Sequence, residues 1–239
     1  MADETFVINA GGYIGKAPEA KLNLPVQPEK LSGFRRNEAS MELENKLGLR
    51  GLELLKEEER ISKKKAKLLY GGRLDQIEVG TYAGLREIHR FLFDEIYFFA
   101  GETRKLNIAK GNFRFVSALY LEEALERISA MPMDAFEQIV AKYVEMNIAH
   151  PFLEGNGRST RIWLDAMMKA NLGKVVDWQK IHRDDYMAAM ERSPVKDTEL
   201  QVLLQAALTD RCQDQKLFMH SIDVSYQYEG YAHYRAEDL

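Results

Sequence analysis

Apolar positions recur at helical spacing along most of the chain. Leu43, Leu47, Leu52 and Leu55 mark one such face and predict a helix over 37–70, closed by Gly71 and Gly72. Leu85, Ile88, Leu92 and Ile96 mark a second over 76–99. Phe136, Val140, Tyr143 and Met146 keep the same period over 134–149, and helical patterns return at 120–130, 158–171, 180–192 and 198–210. The period breaks in "LNIAKGNFRFV". There apolar and polar residues roughly alternate on either side of Lys110, Gly111 and Asn112, which predicts a short hairpin. Residues 1–37 contain Gly11, Gly12, Pro18, Pro25 and Pro28 and are expected to run over the surface as irregular chain. The expected fold is all-α with one small β-hairpin.

Composition narrows the class. The chain has 239 residues, enough for a substantial core and one or two domains. A net charge of −4 argues against a general nucleic-acid-binding surface. No segment approaches the ~20 apolar residues needed to span a bilayer, and the N-terminus lacks the pattern of a secretory signal. Cys212 is the only cysteine, so no intrachain disulfide can form and a reducing cytoplasm is the expected compartment. In the first helix "KEEER" precedes "SKKKAK", an order that suits the macrodipole and i,i+4 pairing. Lys63, Lys64 and Lys65 read as a solvated face, not a phosphate patch. His89, alone on a helix, reads as structural.

The chemistry concentrates in "HPFLEGNGRSTR", residues 150–161. Pro151 stops the preceding helix, and Gly155 and Gly157 permit torsions and close approaches that side chains would block. The next helix then opens with exposed N–H groups at its positive end, an anion site. Arg158 and Arg161 lie one helical turn apart and suit a polyphosphate. Glu154 is a hard carboxylate able to take Mg²⁺. His150, with an ordinary pKa of ~6.5, can serve as a general base. Each residue alone has a plainer reading: a C-cap, a surface ion pair, an ordinary turn. Together they point to a nucleotide or phosphate site with a general base.

The same stretch fills every fixed position of H-x-F-x-[D/E]-G-N-G-R-x-x-R, through His150, Phe152, Glu154, Gly155, Asn156, Gly157, Arg158 and Arg161. It resembles the signature of Fic-domain proteins, with the likeness extending over about 76–207. The resemblance implies a mainly helical Fic fold and transfer of AMP from ATP to a Tyr, Ser or Thr hydroxyl of a target protein. It implies His150 as base and Glu154 as Mg²⁺ ligand. Asn156 and the amides around Gly155 and Gly157 would hold phosphate oxygens, with Arg158 on the β- and Arg161 on the γ-phosphate. The Doc toxin, a relative that acts as a kinase, has Lys where this chain has Gly157, so Gly157 favours adenylyl transfer. The hairpin over 107–115 resembles the family flap that holds a target segment through main-chain pairing. Lys110, Gly111 and Phe113 are its candidates.

"SYQYEGY" at 225–231 fits the Fic inhibitory pattern [S/T]-x-x-x-E-[G/N] through Ser225, Glu229 and Gly230. Ser225 and Glu229 are i,i+4, so a helix would put both on one side. The resemblance implies that Glu229 pairs with Arg161 and that Tyr226 can be self-modified. It also implies a homo-oligomer and, from bacterial relatives, a type II topoisomerase subunit as a candidate target. The expected organisation is an N-terminal extension and helix over 1–75, a Fic core over 76–207 and a C-terminal segment with the inhibitory helix over 208–239. Two alternatives stay open: a deAMPylase or other nucleotidyl transferase, and a non-enzymatic module that binds nucleotide and a partner.

Overall fold

A computed structural model describes residues 5–8, 14–16, 40–41, 43–110 and 113–239. Gly111 and the tip of the expected hairpin lie outside the described residues. Helices dominate. They are α1 (Gly51–Tyr70), α2 (Tyr82–Phe93), α3 (Leu121–Ala130), α4 (Phe136–Ala149), α5 (Asn156–Leu172), α6 (Arg183–Arg192), α7 (Thr198–Ala207) and α8 (Gln215–Gln227). None among the described residues is long and apolar enough to cross a membrane.

The α5 helix is the axis of the molecule. Every residue from Arg158 to Met168 is buried, and α5 packs against α4, α2 and α8. Its core neighbours Leu85, Ile88, Tyr143 and Met146 are fully enclosed, as the apolar spacing predicts. Gly173, left-handed at φ 61°, ends α5 and accepts no strain for lack of a Cβ. Thr81 starts α2, its hydroxyl accepting from the Gly84 N–H at 3.1 Å.

The hairpin pairs β4 (Asn107–Lys110) with β5 (Phe113–Arg114) antiparallel, with Lys110 opposite Phe113. It belongs to a larger sheet than expected. The strands β1 (Thr5–Ile8), β2 (Ile14–Lys16) and β3 (Ser40–Met41) extend it in the order β3-β2-β1-β4-β5. β1 lies parallel to β4, with Phe6 opposite Ile108. Part of the segment expected to be irregular is therefore sheet, because the free edge of β4 offers main-chain partners that local sequence does not reveal. A further ladder joins β6 (Val175–Val176) to β7 (Leu208–Thr209).

The first helix begins at Gly51, later than predicted, and its charged face is not uniformly solvated. Lys63 is 1% exposed. Its Nζ lies 2.9 Å from both Glu59 Oε1 and Asp223 Oδ1 and donates to Tyr234 O at 2.6 Å. Glu59 also accepts the N–H groups of His233 and Tyr234, and Asp223 accepts that of Ala236. This cluster fastens residues 233–236 to α1. Lys64 is exposed, and Lys65 pairs with Asp94 and Glu95.

Candidate active site

The loop from His150 to Gly155 joins α4 to α5. His150 caps α4 in the left-handed region, φ 49° and ψ 63°, and no other non-glycine among the described residues has a positive φ. Such a conformation is costly and persists only when its surroundings impose it. Here the imposing residue is Arg104. Its guanidinium is buried and donates to His150 O at 2.7 Å, Ala149 O at 2.9 Å, Leu106 O at 2.6 Å and Val116 O. The last carbonyls of α4 thus meet a cation at the negative end of the helix. The His150 ring stacks on Phe115, with centroids 3.8 Å apart, and its Nδ1 is buried without a partner. Burial, with the charges of Arg104 and Lys110, lowers its pKa to about 3, so the imidazole is neutral at physiological pH.

The loop is stapled from within. Asn156 Oδ1 accepts the Phe152 N–H at 2.9 Å, and its Nδ2 donates to Phe152 O at 2.8 Å. Its side chain is thereby given to the loop itself. Phe152 is fully buried and stacks on His89 at 3.8 Å. His89 Nδ1 accepts from the Gly101 N–H, so Nε2 carries the proton it shares with Glu154 O at 2.8 Å. His89 is structural, as read from the sequence, but what it supports is the site loop. Gly155 is left-handed at φ 75°, and a Cβ there would lie 2.4 Å from Phe93 Cε2.

At the N-terminus of α5 three acids surround two arginines. Arg158 is fully buried. Its Nη2 donates to Glu154 Oε1 at 3.1 Å. Its Nε lies 2.9 Å from Glu229 Oε2 and its Nη1 2.7 Å from Glu58 Oε1, both close in distance but not aligned as hydrogen bonds. Phe93, Tyr226 and Tyr231 pack around the guanidinium, the Tyr231 centroid 4.5 Å away. Arg161 donates through Nε to Ser225 Oγ at 2.7 Å and through Nη2 to Ser225 O at 2.8 Å and Glu229 Oε1 at 2.5 Å. Glu229 therefore bridges both arginines. Its carboxylate lies against Gly157, where an added Cβ would come within 2.2 Å of Oε1. Burial pushes the Glu229 pKa up, but Arg161 and Arg158 outweigh it and hold the group below its ordinary value. Burial raises Glu154 to about 7, with Glu58 and Glu229 adding to the rise against Arg158.

Ser225 lies in α8, whereas Glu229 lies just beyond it, in a turn where its N–H donates to Tyr226 O at 3.0 Å. Gly230 follows at φ 91°. The two residues meet Arg161 through that turn, not through one continuous helix. Tyr226 is 1% exposed and its hydroxyl is enclosed. Lys110 ends β4 and is exposed, and Phe113 meets Phe115 edge-on at 5.3 Å. Glu58, Arg104, Phe115 and Tyr231 are site residues that local reading missed. Phe115 alone carried a signal, since it alternates with Phe113 on the hairpin.

The mainly helical core with its small β-hairpin matches the fold of solved Fic-domain structures. Residues 80–168 match the model of the Fic/DOC family and are a Fic domain. The chain is 29% identical over 140 residues to "Protein adenylyltransferase VbhT" of Bartonella schoenbuchensis, covering 53% of this chain. It is 31% identical over 124 residues to "Probable protein adenylyltransferase y4lH" of Sinorhizobium fredii, covering 47% of this chain. It spans 29% of the length of the first and 64% of the second. Among solved structures, the BepC effector protein of Bartonella tribocorum with bound AMPPNP superposes with a TM-score of 0.57 at 18% identity, over 72% of this chain and 95% of that one. That likeness is one of fold.

Proposed function

We propose that this chain is an autoinhibited protein adenylyltransferase that transfers AMP from ATP to a Tyr, Ser or Thr hydroxyl of a target protein. The observation that carries the reading is Glu229: one carboxylate grips Arg158 and Arg161 at 2.9 and 2.5 Å over Gly157, at the positive end of α5. An anion seat with two guanidinium groups suits the β- and γ-phosphates of a nucleotide. The relatives named adenylyltransferases and the AMPPNP held by BepC support the same assignment.

In this reading the target hydroxyl gives its proton to the neutral imidazole of His150 and attacks the α-phosphorus. The bond to the bridging oxygen breaks, and pyrophosphate leaves. Arg158 and Arg161 hold the leaving phosphates, and the first amides of α5 around Gly157 hold phosphate oxygens. Asn156 acts through the loop by clasping Phe152. Glu154 is the candidate Mg²⁺ ligand. Its contacts to the Gly155 N–H and Arg158 both fall on Oε1, which leaves Oε2 able to ligate. Among the described residues no group of three or more His, Cys, Asp or Glu side chains could hold a metal. A cation here would draw most of its oxygens from phosphate and water, as Mg²⁺ habitually does. Bound Mg²⁺ would offset charge on the phosphate chain.

Glu229 is the brake, since it occupies Arg161 where the γ-phosphate would sit. The Fic core over 76–207 is then flanked by an extension over 1–75 and a braking segment over 208–239. The flap would align the target, with Lys110, Gly111 and Phe113 as its contacts. A type II topoisomerase subunit is a candidate target, and a homo-oligomer would steady the brake. The test is label transfer from α-labelled ATP into a cell lysate. Glu229→Gly protein should label a band that wild type labels weakly, and His150→Ala in the same background should abolish it. Equal, unlabelled lanes for wild type and Glu229→Gly with every nucleotide tried would sink the proposal.

A further inference from the structure

α1 lies outside residues 80–168, yet it sets a carboxylate at the centre of the site. Glu58 is 1% exposed, a burial that a charge tolerates only when paired and hydrogen-bonded. Its Oε1 lies 2.7 Å from Arg158 Nη1. Its Oε2 accepts from Tyr97 Oη at 2.9 Å and from Tyr231 Oη at 3.0 Å. Arg158 therefore commits one nitrogen to α1. The other two, Nε and Nη2, face Glu229 and Glu154. Those two carry parallel N–H bonds, the edge of a guanidinium that grips paired oxygens.

The three acids differ in what holds them. Glu229 sits on a turn after α8, and Glu154 sits in the loop beside the anion seat. Glu58 is fixed within a 20-residue helix and by two phenol hydroxyls.

We propose that Glu58 is the positioning residue of Arg158. Its carboxylate, fixed on α1 2.7 Å from Nη1, sets the orientation of the guanidinium, so that Nε and Nη2 are presented to the β-phosphate of a bound nucleoside triphosphate once Glu229 has left. Glu58 touches no substrate. It acts through Arg158, and Tyr231 fastens the braking segment to the same carboxylate. The inference rests on the nucleotide reading of the site.

The test reads binding, not turnover. ATP and AMP are titrated by calorimetry into Glu229→Gly protein, with and without Glu58→Gln. ATP affinity should fall on the order of tenfold or more, while AMP, which has no β-phosphate, should stay within about twofold. An equal loss for both nucleotides would mean a general loosening of the site and would overturn the positioning role, as would no loss for ATP. Glu58→Asp keeps the charge but withdraws it by one methylene. If Glu58→Gln fails to fold by its melting curve, Glu58→Asp should show the same ATP-selective loss at about threefold or more, and its absence again overturns the proposal. Glu229→Gly protein that binds neither nucleotide overturns the nucleotide reading itself, and this inference with it.

Discussion

Arg104→Met removes a charge from the framework around His150 while keeping much of the side chain's length. Arg104 is 3% exposed and has no carboxylate partner among the described residues; its donors meet carbonyls of His150, Ala149, Leu106 and Val116. Methionine satisfies none of them. A hydrogen bond to a charged group contributes about 1.5–3 kcal/mol, and a buried acceptor left alone costs about 1–3 kcal/mol. The gain is offset by burying the guanidinium, which lowers the Arg104 pKa to about 10. We expect a net loss of roughly 3–5 kcal/mol, the upper range of single substitutions. At about 2–4 °C per kcal/mol for a chain of this size, the melting point should fall by about 6–20 °C. Urea denaturation measures the first quantity and calorimetry the second. A local readout accompanies them: Arg104 helps depress His150, so the His150 titration, followed by nitrogen chemical shifts of the imidazole, should move up from about 3. A variant that loses less than about 1 kcal/mol and leaves the His150 titration in place would refute the claim that Arg104 imposes the left-handed turn.

Gly155→Ala should destabilise by about 2–4 kcal/mol, because the new methyl would meet Phe93 at 2.4 Å on a backbone at φ 75°; urea melts giving a cost below 1 kcal/mol would contradict that geometry. Burial holds His89 at about 3, against an ordinary ~6.5. The unfolded chain then takes up a proton that the folded chain refuses, so this contribution is present above pH ~6.5 and is lost as pH falls toward 3, by at most roughly 5 kcal/mol. His89→Gln should flatten the fall in stability between pH 7 and 4.5, and an unchanged slope in urea melts would count against it. Tyr226 is 1% exposed and Tyr120 60%, so tetranitromethane should nitrate Tyr226 far more slowly in wild type. Equal rates by peptide mass spectrometry would mean that α8 is not seated on the site.

Local chemistry was readable from the sequence and long-range pairing was not. The α4–loop–α5 unit announces itself because Pro151, Gly155 and the acid–arginine spacing act within a dozen residues. Helical periodicity found α2 and α4 through residues such as Leu85, Ile88 and Tyr143, which pack as it requires. It overran their ends, since apolar Ile96 belongs to the turn after α2 and not to the helix. Glu58 and Lys63 look like surface charges in a helix rich in both signs. The return of residues 223–236 to α1, with Arg158 and Tyr97 closing on Glu58, turns them into buried partners. Arg104 is equally silent, because its partners are carbonyls and a carbonyl has no letter. The strand β1 escaped notice because its partner, β4, lies about a hundred positions on.

The cluster of Lys63, Glu59 and Asp223 has a consequence for how the site could open. Glu229 lies between two moorings, α8 on one side and residues 233–236 on the other. A free end frays gradually, but a strap tied at both ends cannot peel from its tip. Either mooring must give way first, after which the whole length lifts together. Opening would then behave as a latch, all-or-none, and an agent that trips it could work on the outer side of α1 without ever approaching the arginines.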